Sequence, residues 1–100
     1  MKYKTEVMSH SVIQAEFYYD NLSHPAQAVR NVVKKMKGKF NYFLVLVVND
    51  LGNTWKFSVM KKPDGKLYVR LIEKSNYYLT RDELDMIFTG NRPIFRSINK

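Results

Sequence analysis

The sequence predicts an α+β protein, in which an antiparallel sheet packs with two helices in the order β-α-β-β-β-α. Three observations predict it: a one-sided apolar helix, an apolar strand followed by two hairpin turns, and a capped helix after them. The 100 residues contain no repeat, low-complexity tract or linker, so a single domain is expected over residues 1–100. A hydrophobic content of 45% is enough to form one core.

The first predicted element is a strand over Ser11–Tyr19. Its odd positions are apolar and its even positions include polar residues, which is typical of a half-buried strand; the odd positions are Ile13, Ala15, Phe17 and Tyr19. A helix starting at Ser11, with Gln14 completing a capping box, is the alternative. The β-prone segment "FYY" favours the strand. No element is assigned to residues 1–10.

The segment "NLSHPAQAV" predicts the start of the first helix. Ser23 or His24 can act as the N-cap, and Pro25 suits the first turn. One apolar stripe follows at helical spacing, formed by Val29, Val32, Val33 and Met36. Gly38 is placed to end the helix in the left-handed conformation.

A three-stranded meander is predicted next, starting with the doubly apolar strand "NYFLVLVV". The segments "NDLGN" and "KKPDGK" predict three-residue hairpin loops. In this register Asn49 lies opposite Asn53 and Lys62 lies opposite Lys66. One face of the meander is then apolar, and we expect the helix stripe to cover it; this face comprises Phe43, Val45, Val47, Trp55, Phe57, Val59, Val69 and Leu71.

The other face of the meander is mixed in character and comprises Tyr42, Leu44, Leu46, Lys56, Ser58, Met60, Tyr68, Arg70 and Ile72. Its apolar members Leu44, Leu46 and Ile72 would be unusual on a surface exposed to solvent, so we expect another part of the protein to cover this face in part. The N-terminal strand, the C-terminal tail or a second subunit could provide it. A homodimer through the mixed face is therefore one expectation.

The last predicted helix begins after "NYYL". Thr80 and Glu83 have the spacing of a capping box, and Leu79 and Leu84 that of a hydrophobic staple. The early acidic residues complement the helix dipole; they are Asp82, Glu83 and Asp85. Gly90 is expected to end the helix, with Pro93 beyond it.

The net charge of +8 and the isoelectric point near 9.8 favour an anionic partner. The absence of cysteine excludes disulfides and thiolate metal sites. The N-terminus lacks an apolar signal region, and the longest apolar run, "YFLVLVV", is far too short to span a membrane. A cytoplasmic protein with no membrane partner is the expectation.

The candidate residues for binding an anionic partner are cations and one aromatic residue. Arg30, Lys34 and Lys37 share the helix side opposite the apolar stripe, with Lys35 on a flank, and no acid occurs from Asn21 to Asn49. A solvated helix face is the alternative explanation, although such faces usually mix charge signs. The second hairpin and the strand after it contribute the remaining candidates, Lys61, Lys62, Lys66, Tyr68 and Arg70.

No glycine-rich phosphate loop or hydrolase motif is present, and no catalytic residue, metal ligand or cofactor is assigned. The leading hypothesis is a non-enzymatic protein that binds nucleic acid, with single-stranded DNA or RNA favoured. The alternative is a small inhibitor or adaptor of phage or mobile-element type that docks on an acidic protein. A third hypothesis, an RNA-cleaving toxin, would use His10 or His24.

Overall fold

The computed structural model describes residues 1–76 and 79–98. Within these ranges the elements are β1 (Tyr3–Ser9), β2 (Val12–Tyr19), α1 (Pro25–Met36), β3 (Tyr42–Asn49), β4 (Asn53–Lys61), β5 (Leu67–Asn76), α2 (Arg81–Phe88) and α3 (Ile94–Ile98). All strands belong to one antiparallel sheet with the order β2-β1-β3-β4-β5. The predicted α+β class is confirmed, and the predicted element order corresponds to β2-α1-β3-β4-β5-α2.

Strand β1 was not predicted, and it is an inner strand of the sheet, between β2 and β3. All seven of its side chains are buried, including those of Lys4 and Glu6. Its sequence, "YKTEVMS", does not have the apolar composition that usually marks a central strand. A two-residue turn joins it to β2, and both turn residues, His10 and Ser11, have positive φ.

The register predicted for the meander is confirmed from both turns as far as Leu71. Val48 pairs with Thr54 beside the first turn, and Lys61 pairs with Leu67 beside the second. At the second turn the Lys62 N–H donates to the Lys66 carbonyl at 2.8 Å. Further along, the register of β4 with β5 shifts by one residue: Leu71 pairs with Phe57, whereas Glu73 pairs with Lys56. The strand β5 therefore contains a β-bulge at Ile72.

Helix α1 covers the apolar face of the sheet, and Val29, Val32 and Met36 pack there against buried side chains of β1, β3 and β4. The expectation that Val69 and Leu71 belong to this core is wrong, because 43% and 48% of their surfaces are exposed. The unpredicted strand β1 is the cause. It moves the middle of the sheet towards β1 and β3, so that α1 lies there and β5 becomes an outer strand.

Helices α2 and α3 cover part of the opposite face, so the C-terminal segment provides the expected cover. Ile87 of α2 and Ile94 of α3 are buried with three sheet residues, Met8, Leu46 and Val48. The predicted capping box is confirmed: the Thr80 N–H donates to Glu83 Oε1 at 3.0 Å, and the Glu83 N–H donates to Thr80 Oγ1 at 3.1 Å.

Two buried charges on β1 attach α3 to the sheet. The Glu6 carboxylate accepts hydrogen bonds from the backbone N–H groups of Ile94 and Phe95. Lys4 Nζ lies 3.6 Å from Glu6 Oε2 and 3.3 Å from the carbonyl oxygen of Arg92. Burial raises the pKa of the Glu6 carboxyl, although the two backbone donors and Lys4 act in the opposite direction. A buried carboxylate thus holds α3 beside the sheet.

Candidate functional site

The candidate site lies on the part of the mixed face that α2 and α3 leave exposed. Tyr42, Met60 and Tyr68 form one row across β3, β4 and β5, and Ser58 and Arg70 belong to the next row. The three row residues are 53%, 46% and 45% exposed. These five residues are called the open patch. The backbones of Tyr42 and Tyr68 lie two strand spacings apart, which is about 10 Å.

Cations accompany the aromatic side chains of the open patch. Lys62 Nζ lies 5.0 Å from the centre of the Tyr68 ring, within the range of a cation–π contact. Arg70 is exposed on the same face, one row further along β5. Lys56 follows in the third row and forms an ion pair with Glu73 at 3.8 Å. The patch therefore offers both stacking surfaces and positive charge.

A groove of about 720 Å³ separates the sheet from Phe95 of α3. Its floor is formed by side chains of β3, and Tyr42 belongs to both the groove and the open patch. Its rim includes the positive-φ residues His10 and Ser11 and the cation Lys39. A non-glycine residue with positive φ is uncommon, and histidine is among the residues that tolerate it. From Tyr42, the groove extends the open patch towards the end of β1 and towards α3.

The β4–β5 hairpin tip adds cations at the other side of the open patch. Lys61, Lys62 and Lys66 are all exposed. The tip has a defined turn, because Gly65 has a φ of +86° and its N–H donates to the Lys62 carbonyl at 2.9 Å. Since Lys62 contacts the Tyr68 ring, the tip and the open patch form one continuous surface.

The predicted helix cations lie on the opposite side of the sheet. Arg30 and Lys34 are exposed on α1, and Lys37 is exposed directly after it as the C-cap. Lys35 Nζ lies 5.1 Å from the centre of the Phe17 ring. Arg30 also lines an apolar groove of about 230 Å³, with walls formed by Ala26, Val29, Val33, Phe57 and Val69. The sequence-predicted residues are thus divided between two surfaces, one on α1 and one formed by the tip with Tyr68 and Arg70.

The two histidines do not form a pair. His10 lies in the turn before β2, and His24 is the N-cap of α1 beyond the other end of that strand. The eight residues of β2 span roughly 25 Å. Gln27 Oε1 accepts a hydrogen bond from the His24 N–H at 3.1 Å, which fits a helix-entry role. His10 and His24 therefore cannot act together as acid and base within one chain.

Several residues of the site were not among the sequence candidates. Tyr42 and Met60 were placed on the mixed face by the predicted register, which was the available signal. Lys39 and Phe95 reach the groove through the α1–β3 loop and through α3. Their positions depend on tertiary packing, for which the sequence pattern contains no local signal.

Comparison with protein-family models, with curated proteins and with solved structures finds no match for this chain. In residues 1–76 and 79–98, no helix is long and apolar enough to cross a membrane. The same ranges contain no group of three or more histidine, aspartate or glutamate side chains arranged to hold a metal ion.

Proposed function

We propose that this protein is a small, non-enzymatic cytoplasmic protein that binds single-stranded DNA or RNA through the open patch and the hairpin tip. The observation that carries the proposal is the exposed row of Tyr42, Met60 and Tyr68, with Lys62 and Arg70 beside it. Proteins bind single strands by stacking bases on aromatic side chains while cations follow the phosphates. The open patch contains both elements within one sheet surface.

The exposed rings favour a single strand over a duplex. In a duplex the faces of the bases are stacked on one another, so that Tyr42 and Tyr68 could not reach them. In a single strand the bases can turn outwards and stack on aromatic side chains, here those of two strands whose backbones are about 10 Å apart. The net charge of +8 would attract either form through long-range electrostatics. Discrimination between the two forms therefore depends on the aromatic row.

The proposal is tested by fluorescence anisotropy with a labelled oligonucleotide, as a single strand and as its duplex, over a range of salt concentrations. The single strand should bind more tightly. Lys62→Gln should reduce the slope of log K against log salt by about 0.7, because one phosphate contact is lost. Lys2→Gln is the matched control, since Lys2 lies beside Asp50 in the β3–β4 turn, at the other end of the sheet. Tighter duplex binding, or equal slopes for both variants, would contradict the proposal.

A second candidate function is docking on an acidic protein through α1, as an inhibitor or adaptor. It is favoured by the position of Arg30 beside the apolar groove that contains Val33 and Val69. Protein interfaces commonly combine an apolar centre with arginine. Reversal of Arg30, Lys34 and Lys37 to glutamate should slow association with such a partner. Single-strand binding that falls as strongly as with open-patch variants would count against a separate role for α1.

A further inference from the structure

Strand β5 has an edge that no other described element of the chain pairs with. It lies at the end of the sheet and is the longest described strand, with ten residues. Proteins usually protect such an edge, because its unpaired N–H and C=O groups can pair with another strand. In β5 the side chains near this edge include exposed apolar residues on both faces, namely Tyr68, Val69, Leu71 and Ile72.

We propose that β5 pairs with β5 of a second copy of this chain, antiparallel and around a two-fold axis, to form one continuous ten-stranded sheet. The occupant is a second copy because β5 carries a cation and an anion that can each meet the opposite charge of another β5, while Glu73 keeps its ion pair with Lys56 of the same chain. Arg70 lies opposite Ser58 and Glu73 lies opposite Lys56, so both side chains project from the mixed face. They share a face despite their odd spacing because the bulge at Ile72 lies between them.

One register satisfies both the faces and the charges. It places Arg70 of each copy opposite Glu73 of the other copy, which forms two equivalent ion pairs. Val69 then faces Lys74 on the α1 side, and the bulged segments Leu71–Ile72 of the two copies lie opposite each other at the two-fold axis. A slip by one residue would place side chains from opposite faces against each other, and the ion pairs would be lost.

The backbone groups agree with this register. Since Lys66 directs its carbonyl towards β4, the alternation along a strand turns the polar groups of Val69 towards the outer edge. Beyond the bulge the alternation is shifted, so that Lys74 directs its groups outwards as well. Val69 and Lys74 of the two copies can therefore exchange backbone hydrogen bonds. Arg70 and Glu73 then form the closer, non-hydrogen-bonded pair, in which side chains interact most.

The two-fold axis is perpendicular to the sheet, so the mixed faces of both copies point to the same side. The two open patches would then adjoin across the new strand pair. This arrangement differs from the homodimer through the mixed face that the sequence suggested, because it leaves the open patch exposed. The edge dimer does not depend on the proposed nucleic-acid function, and it is measured without nucleic acid.

The test is sedimentation velocity over a range of protein concentrations. The wild-type protein should reach twice the chain mass of 11.9 kDa. Arg70→Glu and Glu73→Arg should each be monomeric, because each places like charges opposite one another. An equal mixture of the two variants should form a dimer again, since both ion pairs are then restored with reversed sign in one of them.

Two further variants keep the test independent of folding defects. Lys74→Glu changes a charge on the other face of β5 and should remain dimeric. Leu71→Pro removes an N–H group that points away from β4, so it should abolish the dimer while circular dichroism stays native. A monomeric wild-type protein at every concentration would overturn the proposal. A dimer that persists in both charge variants would overturn it as well, and would point to the mixed face instead.

Discussion

Replacing the two tyrosines of the open patch should weaken single-strand binding by different amounts. Stacking of one base on an aromatic residue contributes about 1–3 kcal/mol. Lys62 lies over the Tyr68 ring, and its displacement by a base would cost about 0.5–1 kcal/mol. In the described part of the chain no cation lies over Tyr42. We therefore expect Tyr68→Ala to cost about 1 kcal/mol, or roughly fivefold in Kd, and Tyr42→Ala about 2 kcal/mol, or roughly 30-fold.

The assay is fluorescence anisotropy with a labelled single strand at one fixed salt concentration. Tyr42→Phe and Tyr68→Phe keep the rings and should bind like the wild type. Tyr18→Ala is the matched control, because Tyr18 is exposed to a similar extent, 46%, but lies on β2 at the other edge of the sheet. Equal Kd values for the wild type, Tyr42→Ala and Tyr68→Ala would refute the stacking argument. An equal loss with Tyr18→Ala would show that the effect is not specific to the patch.

The remaining predictions concern the fold and are measured by urea unfolding. Glu6→Ala should lower the free energy of unfolding by about 2–5 kcal/mol, because the backbone N–H groups of Ile94 and Phe95 then lose their acceptor. A decrease below about 1 kcal/mol would mean that Glu6 does not hold α3. Because the pKa of Glu6 is higher in the folded protein than in the unfolded chain, where it is about 4.5, folding favours the protonated carboxyl. This contribution to stability is complete below the unfolded pKa and is lost as the pH rises through the folded pKa. The advantage of the wild type over Glu6→Ala should therefore shrink from pH 4 to pH 7; a constant or growing difference would contradict the raised pKa. Thr80→Ala should cost about 1 kcal/mol through the lost cap, and an unchanged midpoint would contradict that role. Gly65→Val should cost about 1–3 kcal/mol because of the positive φ, and an unchanged stability would exclude strain at this turn.

The hairpins and helix caps could be predicted from the sequence because their signals are local. Gly52 and Gly65 mark turns of fixed length, and the strand register follows from the turn length. Thr80 and Glu83 are three residues apart, so their mutual hydrogen bonds needed no tertiary information. In such segments the pattern and the structure depend on the same few neighbouring residues.

Strand β1 could not be predicted because its charged residues are satisfied by distant parts of the chain. Lys4 reaches the carbonyl of Arg92, and Glu6 accepts from Ile94 and Phe95, about ninety positions away in sequence. The missing strand also explains the error at Leu71, because the position of α1 depends on which strands are central. The division of the candidate cations between two surfaces follows from the same packing.

Binding of a single strand at the open patch is tested most directly by titrating ¹⁵N-labelled protein with a short single-stranded oligonucleotide and following the titration by NMR. The amide signals of the open patch and of the hairpin tip should shift on binding; those of the patch belong to Tyr42, Ser58, Met60, Tyr68 and Arg70. Signals from the outer side of α1, such as those of Lys34 and Lys37, should move little. Shifts concentrated on α1 with an unchanged open patch would contradict binding at the open patch, as would a spectrum that does not change at all.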